Sequence, residues 1–332
     1  MRKFKIVILL LIFSILIISG CSNGGNGGSQ GENLEKITIT LDWTPNTNHT
    51  GLYVAKDKGY FADVGLEVDI IQPQGGTAEQ LVASDKAAFG VSYQEQVTLA
   101  RLEDFPIVSL AAVIQHNSSG FTSFKDKGIE SPKDFEGKKY GGWGSPVEKA
   151  TLKALMEKHG GDVEKVDIIT SGDTDFFVAS EKGDIDFGWE FETWAGVEAQ
   201  LRGIELNYID LGKEDKNLDY YTPVIVTNEN NIKNKADLVK RFMEAVVKGY
   251  EFAIANHEEA GQILLDNAPE LDEELVKASQ KMLSGRYQAD AEKWGLQKKE
   301  VWDNYTNWLF DNGLIDKKID TSKAFTNDFI GD

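Results

Sequence analysis

The chain has 332 residues, a net charge of −19 at pH 7 and 41% hydrophobic residues. That apolar share builds an ordinary globular core, and the length allows two domains. The acidity argues against nucleic acid, whose phosphates need clustered Lys and Arg, and against docking on anionic lipid.

Arg2, Lys3 and Lys5 precede an apolar run, Ile6 to Ile18, broken only by Ser14. A basic head followed by an apolar stretch too short to span a bilayer comfortably is the pattern of a signal segment. Without those three basic residues the charge becomes −22. Cys21 follows Ile18-Ser19-Gly20 and is the only cysteine, so no internal disulfide can form. Its placement resembles a bacterial lipobox, with Ile18 where leucine is usual, and this implies acylation of Cys21. Ser22 to Glu32 is rich in Gly, Asn and Ser, a composition that tethers rather than folds. The expectation is a signal peptide over 1–20, a tether over 21–35, and a domain held at the outer face of a bacterial cell membrane by lipid.

Ile37 to Leu41 alternates with the period of a strand. Asp42 and Trp43 stand at its end, Thr44-Pro45 signals a helix start, and His49 to Lys58 reads as helix capped by Gly59. Leu66 to Ile71 is a strand, Gln72 to Thr77 a turn, Ala78 to Ser84 a helix, Ala88 to Val91 a strand. Tyr93 to Leu102 is a helix, and Ile107 to Ile114 a buried strand. A second set starts near His116. It holds a turn at Pro132 to Phe135, a strand from Lys139 feeding the loop Gly141-Gly142-Trp143-Gly144-Ser145-Pro146, and a helix over Val147 to His159. Strand Val166 to Thr170, helix Thr174 to Lys182, strand Ile185 to Trp189, helix Ala195 to Arg202 and strand Leu206 to Leu211 complete it. The alternation predicts an α/β fold of βαβ units with largely parallel sheets.

Val82-Ala83-Ser84-Asp85-Lys86 before Phe89-Gly90-Val91 is echoed by Val178-Ala179-Ser180-Glu181-Lys182 before Phe187-Gly188-Trp189, which fits two similar lobes facing across a cleft. Thr222 to Thr227 is a strand that crosses back. The helical stripes Leu238, Phe242, Val246, Tyr250 and Val301, Tyr305, Trp308, Leu309 are expected on the first lobe's sheet. The expected lobes are 36–115 with 221–332, and 116–220.

Ligands of open α/β sheets bind beyond the carboxyl ends of strands. The segments there, Asp42 to His49, Gln72 to Thr77, Tyr93 to Gln96, Gly141 to Pro146, Ser171 to Phe176 and Trp189 to Trp194, contain no Lys or Arg. They carry Trp43, Tyr93, Trp143, Trp189 and Trp194, the carboxylates Asp42, Glu95, Asp173, Asp175, Glu190 and Glu192, and amide or hydroxyl groups on Asn46, Asn48, Gln94 and Ser145. An anion would want a cation or a helix N-terminus. Rings and carboxylates suit a planar, amino-bearing, neutral or cationic molecule, or a quaternary amine in an aromatic cage. If Trp189 to Trp194 is extended, Glu190 and Glu192 share one face and repel unless a donor lies between them or one keeps its proton. The glycine-rich loop lacks the Lys of a phosphate-binding loop and reads as a backbone approach to ligand or as a plain turn. The four histidines His49, His116, His159 and His257 offer no close metal-ligand pair.

Asp42-Trp43-Thr44-Pro45-Asn46, His49-Thr50-Gly51-Leu52-Tyr53-Val54-Ala55, Gly59-Tyr60-Phe61 and Gly65-Leu66 resemble the thiamine-pyrimidine family. Its bacterial members are ABC-transporter substrate-binding lipoproteins for formylaminopyrimidine in thiamine salvage; its eukaryotic members are thiamine-pyrimidine synthases. The resemblance runs from about Lys36 into the C-terminal helices. It implies a two-lobed periplasmic-binding-protein fold of type II, closing on its ligand. It places Asp42, Trp43, Asn46 and Tyr93 at the cleft, Glu190 on the aminopyrimidine and Glu192 nearby. His49, Gln94, Trp143, Ser145 and Trp189 complete the expected binding set. The partners implied are the permease and ATPase subunits, with no cofactor. The synthases supply a histidine as substrate and carry a cysteine-rich, iron-associated motif; here the one cysteine is Cys21, so a non-enzyme is expected. The alternatives are a synthase-like enzyme using His49, and a receptor for another solute such as a sulfonate or amine.

Overall fold

Two five-stranded mixed sheets carry the fold, in a computed structural model that describes residues 34–331 except 74, 75 and 173. The predicted signal segment, Cys21, nearly all of the tether and Asp173 lie outside the described residues. The first sheet is built from β1 (Glu35–Thr40), β2 (Leu66–Ile71), β3 (Phe89–Ser92) and β4 (Ile107–Ala112). The second comprises β5 (Ser119–Phe124), β6 (Lys139–Gly142), β7 (Asp167–Thr170), β8 (Phe187–Phe191) and β9 (Leu206–Asp210). The chain then returns to the first sheet as β10 (Val224–Asn228). The strand orders are β2-β1-β3-β10-β4 and β7-β6-β8-β5-β9.

The two orders have the same pattern. β1 runs parallel to β2 and β3, and β6 parallel to β7 and β8. β10 is antiparallel to β3 and β4, and β5 antiparallel to β8 and β9. The expectation of largely parallel sheets is therefore corrected: half of the pairings are antiparallel. The cause is the crossing of the chain. β5 and β10 each follow a passage between the sheets, so they start at the edge where the other strands' ligand-facing loops emerge. The echoed segments are equivalent, since each enters the third strand of its sheet, β3 or β8.

The stripe Leu238, Phe242, Val246 and Tyr250 lies on the long helix Ala236–Ala255 and packs on the first sheet, with the Phe242 and Phe89 rings stacked at 3.7 Å. The second stripe does not follow it. Tyr305, Trp308 and Leu309, on helix Lys299–Asp311, join the core of the second sheet with Phe121, Tyr140 and Phe187. Tyr305 lies 4.4 Å from Tyr220, and the Trp308 indole donates to Asp215 at 3.1 Å. Trp302 of the same helix is buried among Val97, Ala112 and Val224 under the first sheet. Periodicity marks an apolar face but not the sheet that face meets.

Candidate functional site

Asp42 follows the end of β1 by two residues, and the turn behind it is fixed by its own polar groups. Asn46 Oδ1 accepts from the Asn48 N–H at 2.9 Å, and the Asn46 N–H donates to His49 Nδ1 at 3.1 Å. An Nδ1 that accepts leaves the proton on Nε2, which donates to Asp42 Oδ1 at 2.6 Å. The Tyr93 hydroxyl donates to the other Asp42 oxygen. Burial pushes the Asp42 carboxyl up, but His49 and Tyr93 outweigh it and the net direction is down. Helix Thr50–Asp57 holds this turn against helix Ala236–Ala255 at a glycine crossing. A Cβ at Gly249 would lie 2.0 Å from the Gly51 carbonyl, and one at Gly51 2.4 Å from the Tyr250 ring. The Tyr250 hydroxyl donates to the Asn48 carbonyl at 2.7 Å.

The facing wall comes from the end of β8, where Trp189, Glu190 and Phe191 meet a π-helical turn, Glu192–Gly196, that runs into helix Val197–Arg202. Trp189 meets Phe121 edge-on at 5.3 Å and Trp143 at 5.4 Å. The Gly141–Ser145 loop folds around Glu148, which accepts from the Tyr140 hydroxyl at 2.7 Å, the Trp143 N–H at 3.0 Å and the Ser145 N–H at 2.7 Å. Gly142 is required there because its Cβ would fall 1.9 Å from the Glu148 carboxylate. The loop is thus a turn organised by a carboxylate, and it leaves Trp143 44% exposed.

Between the walls lies a cavity of about 430 Å³ bordered by Trp43, Tyr93, Trp143, Trp189 and Trp194. A recess of about 60 Å³ adjoins it, between Asn46, Thr47 and Asn48 on one side and Thr193 on the other. Asp42 and Glu190 border both. Among the described lining residues there is no Lys or Arg. Glu190 receives no hydrogen bond on its carboxyl among the described residues; burial, with Asp175 and Glu198, pushes it up to about 8. It is therefore a neutral acid at pH 7, able to donate and accept at once. Glu95 is pushed by burial to about 7, against the hydrogen bond from Tyr220.

Asp42, Trp43, Asn46, Tyr93, Trp143, Trp189 and Glu190 are brought together at the cavity. Four expected residues are not. His49 is fully buried behind Asp42, with both ring nitrogens engaged. Gln94 is buried and spends its amide on the Tyr221 N–H and the Val301 carbonyl. Ser145 caps helix Pro146–Lys158. Glu192 leaves the strand at the π turn, where alternation stops, and pairs with Arg286 at 2.8 Å. The two neighbouring carboxyls thus separate: one keeps its proton in the cavity, the other meets a cation outside the lining.

The family described as NMT1/THI5 like matches residues 46–260. The chain belongs to that family. It is 32% identical to the formylaminopyrimidine-binding protein of Halalkalibacterium halodurans, over 98% of this chain and 99% of that one. It is 25% identical to a 4-amino-5-hydroxymethyl-2-methylpyrimidine phosphate synthase of Saccharomyces cerevisiae, over 73% and 74% of the two chains. The alkanesulfonate-binding protein SsuA from Xanthomonas axonopodis pv. citri bound to MOPS superimposes with a TM-score of 0.68 at 11% identity, over 88% of this chain and 98% of that one. The fold of this NMT1/THI5-like protein is accordingly the two-lobed α/β fold of periplasmic solute-binding proteins. Sequence reading missed Ser119, at the start of β5 just after one passage between sheets, and Tyr220 and Thr222, on the other passage; all three line the cavity. Their signal was position, since both passages flank the boundaries expected near 116 and 220. Glu198, inside a predicted helix, gave none.

Proposed function

We propose that this protein is the solute receptor of an ABC importer and captures a formylated aminomethyl-aminopyrimidine for thiamine salvage. The carrying observation is the cavity's composition: four tryptophans, two tyrosines and an unpaired neutral carboxyl on Glu190, with no described lining cation. The rings offer faces for a flat heterocycle. A neutral carboxyl matches the edge of an aminopyrimidine, accepting from the exocyclic amine and donating to the adjacent ring nitrogen. Arg286 is paired with Glu192 and is not in the lining. The relative that binds formylaminopyrimidine supports the same ligand. A synthase-like role for His49 is disfavoured by its full burial and its two hydrogen bonds.

Calorimetric titration with N-formyl-4-amino-5-aminomethyl-2-methylpyrimidine and, separately, with an alkanesulfonate tests the reading. Binding of the pyrimidine alone is expected; tighter binding of the sulfonate refutes it. The leader and Cys21 support attachment to the outer face of the cell membrane through lipid, beside the permease and ATPase. Cys21→Ser is expected to release the protein from membranes, and retention in the membrane fraction would contradict the anchor.

A further inference from the structure

A second carboxyl in the cavity is not used by that reading. Glu95 is only 6% exposed, sits in the first turn of helix Gln94–Leu102 and borders the larger cavity. One of its oxygens, Oε2, accepts from the Tyr220 hydroxyl; Oε1 has no hydrogen bond among the described residues. The helix start is tied to the passage between lobes from both sides. The Gln94 N–H donates to the Tyr221 carbonyl at 3.0 Å, and Gln94 Oε1 accepts from the Tyr221 N–H at 3.0 Å. Tyr220 is packed against Tyr305. The free oxygen is therefore held in a fixed place by rigid neighbours. That oxygen belongs to a residue of the cavity lining, where a ligand that supplies a donor can meet it.

Glu95 and Glu190 answer to different acidic neighbours: Glu148 and Glu79 push the first up, Asp175 and Glu198 the second. Glu190 borders the narrow recess as well as the main cavity, whereas Glu95 borders the main cavity alone. The cavity thus presents two carboxyls at different places. Resting on the pyrimidine reading, we propose that Glu95 is a second specificity-determining residue, whose free oxygen accepts a hydrogen bond from the N–H of the ligand's side arm while Glu190 takes the ring edge. A solute with donors on both ring and arm is then selected over a flat ring with one.

The experiment uses the full chain and two probes, the formylated aminomethyl-aminopyrimidine and 4-amino-2,5-dimethylpyrimidine, which lacks the arm N–H. Removing Glu95 alone would strand the Tyr220 hydroxyl, so Glu95→Met is combined with Tyr220→Phe, replacing both polar partners by apolar groups of similar shape. The double variant is expected to bind the formylated probe at least about tenfold more weakly, the scale of one hydrogen bond to a buried carboxyl. Its affinity for the dimethyl probe is expected to stay within about twofold. Tyr220→Phe alone keeps Glu95 and is expected to weaken the formylated probe clearly less than the double variant does. Equal losses on both probes, no loss on either, or a single Tyr220→Phe variant that reproduces the double one would overturn the role of Glu95. Wild-type protein that binds neither probe would instead overturn the pyrimidine reading, and this proposal with it.

Discussion

Replacing Glu190 tests whether the ligand is read by an acid or by an anion. Two neutral hydrogen bonds contribute about 1–3 kcal/mol together, and leaving the ligand's donor and acceptor unmet in the cavity adds a similar amount. Glu190→Ala should therefore cost about 3 kcal/mol, roughly a hundredfold in Kd. Gln places a carbonyl and an N–H where the neutral acid has a carbonyl and an O–H, so Glu190→Gln should lose less than about tenfold. The wild-type carboxyl is pushed up to about 8, so its affinity should fall as pH rises through that value, while the Gln variant stays flat. Stability has a linked sign. A carboxyl raised in the folded state from 4.5 to about 8 makes the domain lose stability as pH climbs between those values. Glu190→Gln should then melt higher than wild type at pH 8 and equally at pH 4. Titration calorimetry and thermal melts across pH read both effects. A Gln variant a hundredfold weaker, with wild-type affinity rising through pH 8, would refute the neutral-acid reading.

Trp43, 44% exposed at the cavity mouth, should act as a stacking anchor, so that Trp43→Ala weakens the pyrimidine by about 2 kcal/mol, and unchanged affinity would count against the pose. The lobes are tied across the mouth by Arg286 on Glu192 and by Ser279, which accepts from Thr47 and donates to the Thr193 carbonyl at 2.5 Å. Arg286→Ala should speed ligand release a few-fold in stopped-flow traces, less at high salt because the pair is partly exposed. His116 links Asp219 at 2.8 Å to Asp290 at 3.0 Å beside the passages between lobes. Its hydrogen bond to Asp219, against burial, raises it from 6.5 to about 9. The contribution is full below 6.5 and is lost as pH rises through about 9; screening of this exposed pair holds it to about 1 kcal/mol or less. Melts of His116→Asn should fall below wild type at pH 6.5 and match it above pH 9.

Sequence alone gave β2 to the residue and put rings and carboxylates at the cleft, because strand alternation and loop composition are local properties. It missed β5, a central buried strand, because Ser119-Gly120-Phe121-Thr122-Ser123-Phe124 is mostly small and hydroxylated. Such a strand is recognised only by its neighbours, β8 and β9. The split between Glu190 and Glu192 was hidden for a related reason: a π turn has no simple residue signature, and the cation that takes Glu192 lies 94 residues further along the chain. The inward-facing tyrosine on the second passage, Tyr220, became visible only when both sheets were in place.

Helix Lys299–Asp311 is rooted in two cores at once, and this restricts how the mouth can widen. A rod anchored under one sheet by Trp302 and against the other by Tyr305, Trp308 and Leu309 ties the two halves together. Apolar rings tolerate sliding better than separation, since displacement along a greasy surface exposes little new area to water. Any motion that parts the two sheets along this helix must therefore first bare Trp302 or the cluster of Tyr305, Trp308 and Leu309 to water.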